Sequence, residues 1–297
     1  SSAAAKPPAP PDHAANPADM KLLYIAHSSP RIHRRTAYAI LSCLHVHGGR
    51  PPCPIELATD DPAVYGELRS VVGIRPLDPA QIAAWVAAAR GYRDVVKPEV
   101  FRMQEDSFLF FDSDTVLLKP IPPLLARITP KSTLMQRREY QLGRRPEFAD
   151  IVADPAFPEF SASTWMCNSG LLGVHRDNLP TLRKVKNRVL ELLARHPVRT
   201  PEQLLDGTLL AQVSEILTAP SWIYHYWQDK GFPDAFMDRF FDGIGLPEMT
   251  RRVLAGDGAP FFALGFRRNP LLYDLYMRLL PRFERLSEAL KRRPARP

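Results

Sequence analysis

One stretch limits this chain more than any other: Phe108-Leu109-Phe110-Phe111-Asp112-Ser113-Asp114, followed by a second apolar run, Val116-Leu117-Leu118. A short uninterrupted apolar run reads as a strand buried on both faces, the signature of a sheet covered by helices on either side. Acids at the C-terminal end of such a strand stand where open α/β sheets collect their ligands. In extended backbone, residues i and i+2 point the same way, so Asp112 and Asp114 are expected to aim at one point. Two hard oxygen donors suit Mn or Mg better than zinc. The alternative is that both acids cap the turn that follows, a common use of Asp.

The surrounding pattern supports a sheet. Leu22–Ala26, Ile55–Ala58 and Ser70–Leu77 read as strands, and they alternate with helical spacing over Arg34–His47 and Pro79–Arg90. That alternation predicts a mostly parallel sheet with right-handed crossovers. A short helix is expected to end near Met103. Beyond the acidic pair come a helix over Ile121–Ile128, a strand over Ser132–Gln136, and a polar irregular loop over Arg137–Thr164. A strand at Gly170–Val174 and helices at Leu179–Arg195 and Pro201–Ile216 follow. Residues 1–19, rich in Ala and Pro, are expected to be a disordered tail. Residues 20–231 then form the main domain, and 232–297 a helical extension packed on it.

Composition narrows the function classes. No apolar run approaches the ~20 residues that cross a bilayer, so a cytoplasmic protein is expected, either free or at the cytoplasmic membrane face. The three cysteines lack metal-ligand spacing and disulfide density. The formal charge of +7 suggests an anionic partner. The basic residues are scattered pairs without the aromatic ladder of single-strand binders, so no nucleic acid is expected. The basic C-terminal helix offers a peripheral membrane contact, with a solvated helix end as the alternative.

Three further segments carry candidate chemistry. His225 stands five residues before Lys230; an imidazole can complete a mixed oxygen/nitrogen shell, and a lysine can neutralise a phosphate. Asn168-Ser169-Gly170 reads as a turn before an apolar strand, where Gly170 lets a ligand approach the backbone. Thr200-Pro201-Glu202-Gln203-Leu204-Leu205-Asp206 starts a helix with Thr200 as N-cap.

In order, these pieces resemble the GT-A glycosyltransferases, and within them family eight, the group of glycogenin and the lipopolysaccharide galactosyl- and glucosyltransferases. The strand with Asp112-Ser113-Asp114 resembles that family's metal-binding D-x-D. Asn168-Ser169-Gly170 resembles its N-[AS]-G, and Glu202-Gln203-Leu204-Leu205-Asp206 its D-Q-x-L-[LN], with Glu in place of the first acid. A second register of that motif starts at Asp206. His225 to Lys230 resembles H-[FY]-x-G-x-x-K-P-W, but lacks its Gly and Pro-Trp and is one residue shorter.

The resemblance implies a GT-A, Rossmann-like α/β fold and a Mn- or Mg-dependent transfer of a sugar from a nucleotide-sugar, with a UDP-sugar the expected donor. The acceptor is expected to be a hydroxyl on a glycan or another hydroxyl compound, and its acidity is suggested by the arginines of Arg137–Thr164. Asp112, Asp114 and His225 become the expected metal ligands, and Asn168, Gln203 and Asp206 the expected catalytic residues. Ala26, His27, Thr59, Asp60, Lys97, Ser113, Ser169 and Lys230 become the expected donor contacts. Retention of configuration is implied by the resemblance alone. Two alternatives stay open. One is a haloacid-dehalogenase-like phosphatase with Asp112 as nucleophile, since Asp112-Ser113-Asp114-Thr115-Val116 fits its first motif. The other is a non-catalytic sugar-nucleotide binding module. A nucleotidyltransferase is less favoured, because His27-Ser28-Ser29-Pro30 is not a Gly-rich loop.

Overall fold

The apolar run with its two acids lies at the centre of a seven-stranded sheet in a computed structural model that describes residues 20–220, 222–225 and 245–256. The strands are β1 (Met20–Ala26), β2 (Ile55–Thr59), β3 (Val72–Pro76), β4 (Ser107–Phe111), β5 (Thr115–Leu117), β6 (Ser132–Gln141), β7 (Trp165–Val174), β8 (Glu215–Thr218) and β9 (Ile223–His225). The helices are α1 (Pro30–Val46), α2 (Pro79–Ala88), α3 (Val96–Arg102), α4 (Pro122–Leu125), α5 (Ala149–Ala153), α6 (Leu179–Arg195), α7 (Pro201–Leu210) and α8 (Leu246–Leu254). The sheet order is β3-β2-β1-β4-β7-β6-β8, and β5 and β9 form a separate two-stranded ribbon. Each neighbouring pair in the large sheet is parallel except the two that β7 makes.

Alternation along the central strands divides the core. Leu22, Tyr24, Leu109 and Phe111 enter one apolar cluster with α1 and β2. Leu23, Ile25, Phe108 and Phe110 enter the other, with α3, α6 and α7. Phe108, Leu109, Phe110 and Phe111 are each at most 1% exposed. At about 2 kcal/mol per buried apolar side chain, this strand is a main anchor of the fold.

Several boundaries differ from expectation. Helix α1 begins at Pro30 rather than Arg34, because proline is pre-organised for the first helical position. The helix expected over Ile121–Ile128 is a single turn, Pro122–Leu125. Strand β6 runs on to Gln141, so its polar second half is sheet and not loop; two register shifts against β7 hid the period. Residues 142–164 then carry 3-10 turns and α5. Asn168-Ser169-Gly170 lies inside β7 rather than in a turn before it. The helix expected to reach Ile216 stops at Leu210, and Ile216 pairs in β8 with β6.

Helix α8 rests on α1, with the Leu254 backbone against Gly49. The expected tail, Lys230 and the remainder of the C-terminal extension lie outside the described residues. Among the described residues no helix is long and apolar enough to cross a membrane. Cys43, Cys53 and Cys167 are free and buried, and burial pushes the Cys43 thiol up to about 12.

Candidate functional site

The two acids sit in a tight turn between β4 and β5, not on extended backbone. Thr115 N–H donates to the Asp112 carbonyl at 3.1 Å, and Ser113 N–H to Asp112 Oδ1 at 2.9 Å. Gly170 fixes this turn from the neighbouring strand. Its carbonyl accepts from Asp112 N–H at 2.8 Å and from Thr115 Oγ1 at 3.2 Å.

The ribbon of β5 and β9 brings in the third group. Its register sets Thr115 opposite His225, and the imidazole therefore reaches Asp114, with Nε2 2.9 Å from Oδ1. Asp112, Asp114 and His225 each offer one donor atom within 4.8 Å of the others. Asp114 and His225 are buried, and Asp112 is half-buried. Two carboxylate oxygens and one ring nitrogen form a donor set that fits Mn or Mg.

Lys97, from α3, places its ammonium 2.7 Å from Asp112 Oδ2 and 3.9 Å from Asp94. Burial works against the Lys97 charge, but Asp112, Asp94 and Glu202 together hold its affinity for the proton above the usual lysine range. A cavity of about 420 Å³ opens over these groups. Its walls include His27, Lys97, Asp112, Ser113, Asp114, Asn168, Gln203 and His225, all singled out from the sequence. Asp94, Glu139, Tyr140 and Arg199 also line it. Asp94 had a sequence signal, since it precedes Lys97 by one helical turn. Glu139 and Tyr140 had none, because they fall in the segment read as loop.

Asn168 is held at both ends of its amide. Its Oδ1 accepts from Gly170 N–H at 2.8 Å, and its Nδ2 donates to Glu139 Oε1 at 3.0 Å. Gln203 faces the cavity, while its neighbours on α7 do not. Glu202 is buried and accepts a hydrogen bond from Tyr92, and Asp206 is fully buried beside Ser169. Burial first, and Asp94 second, raise the Glu202 carboxyl to about 7. Burial and then Glu202 hold Asp206 well above the carboxylate range.

The remaining expected donor contacts divide between two places. Ala26 and Thr59 end β1 and β2 as buried residues. His27 joins the cavity, and burial lowers its imidazole below the usual value against the pull of Asp94 and Asp60. Asp60 instead lines an adjoining cavity of about 640 Å³ with Ser28, Ser29, His33 and Arg34. There it accepts from Ser28 N–H at 2.8 Å and sits 3.1 Å from His33 Nε2. Ser28 has φ 64, a left-handed conformation rare outside glycine and costly unless held by its surroundings. The bond to Asp60 holds it.

No protein-family model matches this chain, and no curated protein does. Among solved structures it is similar to the galactosyltransferase LgtC in complex with donor and acceptor sugar analogs. The two are 12% identical over 68% of this chain and 74% of that one, with a TM-score of 0.50. It is also similar to the apo form of mouse xyloside xylosyltransferase 1, at 14% identity, 74% and 93% coverage and a TM-score of 0.44. A third is the glycosyltransferase GlyE of Streptococcus pneumoniae TIGR4, at 12% identity, 76% and 50% coverage and a TM-score of 0.41. The likeness to LgtC shows a shared architecture: this chain has the α/β, GT-A fold expected from its motifs.

Proposed function

We propose that this chain is a divalent-metal-dependent glycosyltransferase that moves a sugar from a nucleotide-diphosphate sugar, a UDP-sugar in the first instance, to a hydroxyl of a glycan acceptor. One observation carries the reading: Asp112 and Asp114 meet His225, 111 residues beyond Asp114 in the chain, in the lining of a cavity of about 420 Å³. The complex of LgtC with donor and acceptor sugar analogs agrees with a site that holds both.

Asp112, Asp114 and His225 would hold Mn or Mg, and the bound ion supplies charge stabilisation for a departing diphosphate. The protein's own groups then have separable roles. Lys97 sets the position of the Asp112 carboxylate and brings a positive charge to the donor side. His27 and Ser113 line the path of the phosphates, and Ala26, Thr59 and Asp60 shape the end that takes the nucleoside. Lys230 is assigned to the diphosphate by the motif resemblance. Asn168 and Gln203 face the reacting sugar. Retention of configuration follows from the resemblance to family eight. Asp206 supports Ser169 and β7 from behind instead of touching substrate.

A phosphatase with Asp112 as nucleophile is disfavoured because the imidazole of His225 occupies Asp114, the residue that reading needs as proton donor. The test is release of nucleoside diphosphate from a panel of nucleotide-sugars with Mn. Wild type releases it, and Asp114→Ala loses at least ~100-fold. Equal turnover in that variant overturns the reading.

A further inference from the structure

The cavity that holds the acids is also lined by Tyr140 and Arg199, and Arg145 reaches it through the Tyr140 ring. Tyr140 on β6 pairs with Met166 on β7, four residues along that strand from Gly170, which abuts His225. At about 3.3 Å per residue this separation is about 13 Å, beyond the reach of a diphosphate held by Asp112 and Asp114. Over the Tyr140 ring lies the Arg145 guanidinium, its central carbon 4.6 Å from the ring centroid. Arg199, the residue before the α7 N-cap, lines the same cavity as Tyr140.

Neither guanidinium has an acid for a partner among the described residues. The acids of the cavity are already engaged: Glu139 by Asn168 and Arg137, Asp94 and Asp112 by Lys97, and Asp114 by His225. Elsewhere on the surface, arginines such as Arg188 and Arg195 are matched to carboxylates. Among the described residues no ion pair takes up either guanidinium, and the nearest negative charges to the Tyr140 ring, Glu139 and Glu147, act on it only at longer range. A guanidinium stacked on an aromatic ring keeps its N–H edge in one plane, the geometry that grips a carboxylate or phosphate through paired hydrogen bonds.

We infer that Arg145, stacked on Tyr140, and Arg199 form a clamp for an anionic group carried by the acceptor glycan, either a uronic-acid carboxylate or a sugar phosphate. The inference rests on the assignment of the inner cavity to the nucleotide-sugar. It places the acceptor with its charged group at the mouth and a hydroxyl directed inward towards Asn168 and Gln203.

The test is equilibrium binding, by calorimetry, of three probes to protein saturated with Mn and UDP: p-nitrophenyl glucuronide, glucose 6-phosphate and neutral p-nitrophenyl glucoside. At least one anionic probe binds about tenfold tighter than the neutral one, or more. The carboxylate or phosphate preference identifies the source of the charge. In the double variant R145Q/R199Q the anionic advantage falls to about twofold or less, while far-UV circular dichroism is unchanged because both side chains are exposed. Equal binding of neutral and anionic probes to wild type, or an advantage that survives in the double variant, overturns the clamp. Failure of wild type to bind UDP with Mn overturns the underlying assignment instead.

Discussion

The Cα of Gly170 faces the imidazole of His225 so closely that a Cβ at that position would lie within 2.5 Å of both ring nitrogens. The glycine is therefore there for a side chain of the protein itself. Its carbonyl fixes the turn that carries Asp112 and Asp114, and its bare Cα leaves room for the imidazole that joins them.

Gly170→Ala is expected to displace the imidazole and leave the fold in place. Forced overpacking costs about 1–3 kcal/mol, and disturbed orientation of a metal-binding group costs about 10–100-fold in affinity. Mn titration followed by thermal shift measures both. The melting temperature should fall by a few degrees, and the Mn concentration at half-effect should rise at least ~10-fold. An unchanged Mn response would show that His225 does not depend on that space.

Lys97→Met removes the cation 2.7 Å from Asp112 and leaves Asp112, Asp94 and Glu202 without their shared counter-charge. Breaking a buried ion pair by deleting one partner costs about 3–5 kcal/mol. Mn, binding the same acids, should restore part of that loss. The melting temperature of the variant should therefore rise more on adding Mn than that of wild type. A smaller rise in the variant would separate Lys97 from the ion site.

Glu202 gives a pH dependence of defined sign. Its carboxyl titrates at about 7 in the fold and at about 4.3 in the unfolded chain. Between those values the folded state holds the proton that the unfolded state has lost, so stability falls as pH rises through the window and levels off above pH 7. The change is at most about 4 kcal/mol. Asp206, raised in the same direction, adds to it. Urea unfolding from pH 5 to pH 8 measures the slope, and Glu202→Gln should flatten it. A stability that rises over this range would contradict the protonated, buried state of the pair.

Much of this fold was legible wherever a residue's burial follows from its neighbours in sequence. Strand β4 and helix α6 are legible, the first because its apolar run is too short for a helix and ends in a polar turn, the second because its apolar residues keep a 3.6-residue period. Residues whose role depends on a distant partner were not legible. Gln203 and Asp206 belong to one motif, yet only Gln203 reaches the cavity, since helix rotation against β7 decides which face is wet. The polar end of β6 looked like loop because its register slips against β7. The place of His225 was foreseen only through the motif, and what sets it is the register between β5 and β9.

The central claim is that Asp112, Asp114 and His225 share one cation. Crystals soaked with Mn and UDP, measured at the Mn absorption edge, test it most directly. The account predicts a single strong anomalous peak bounded by Asp112, Asp114 and the imidazole of His225. A peak elsewhere, or none with UDP bound, would contradict it.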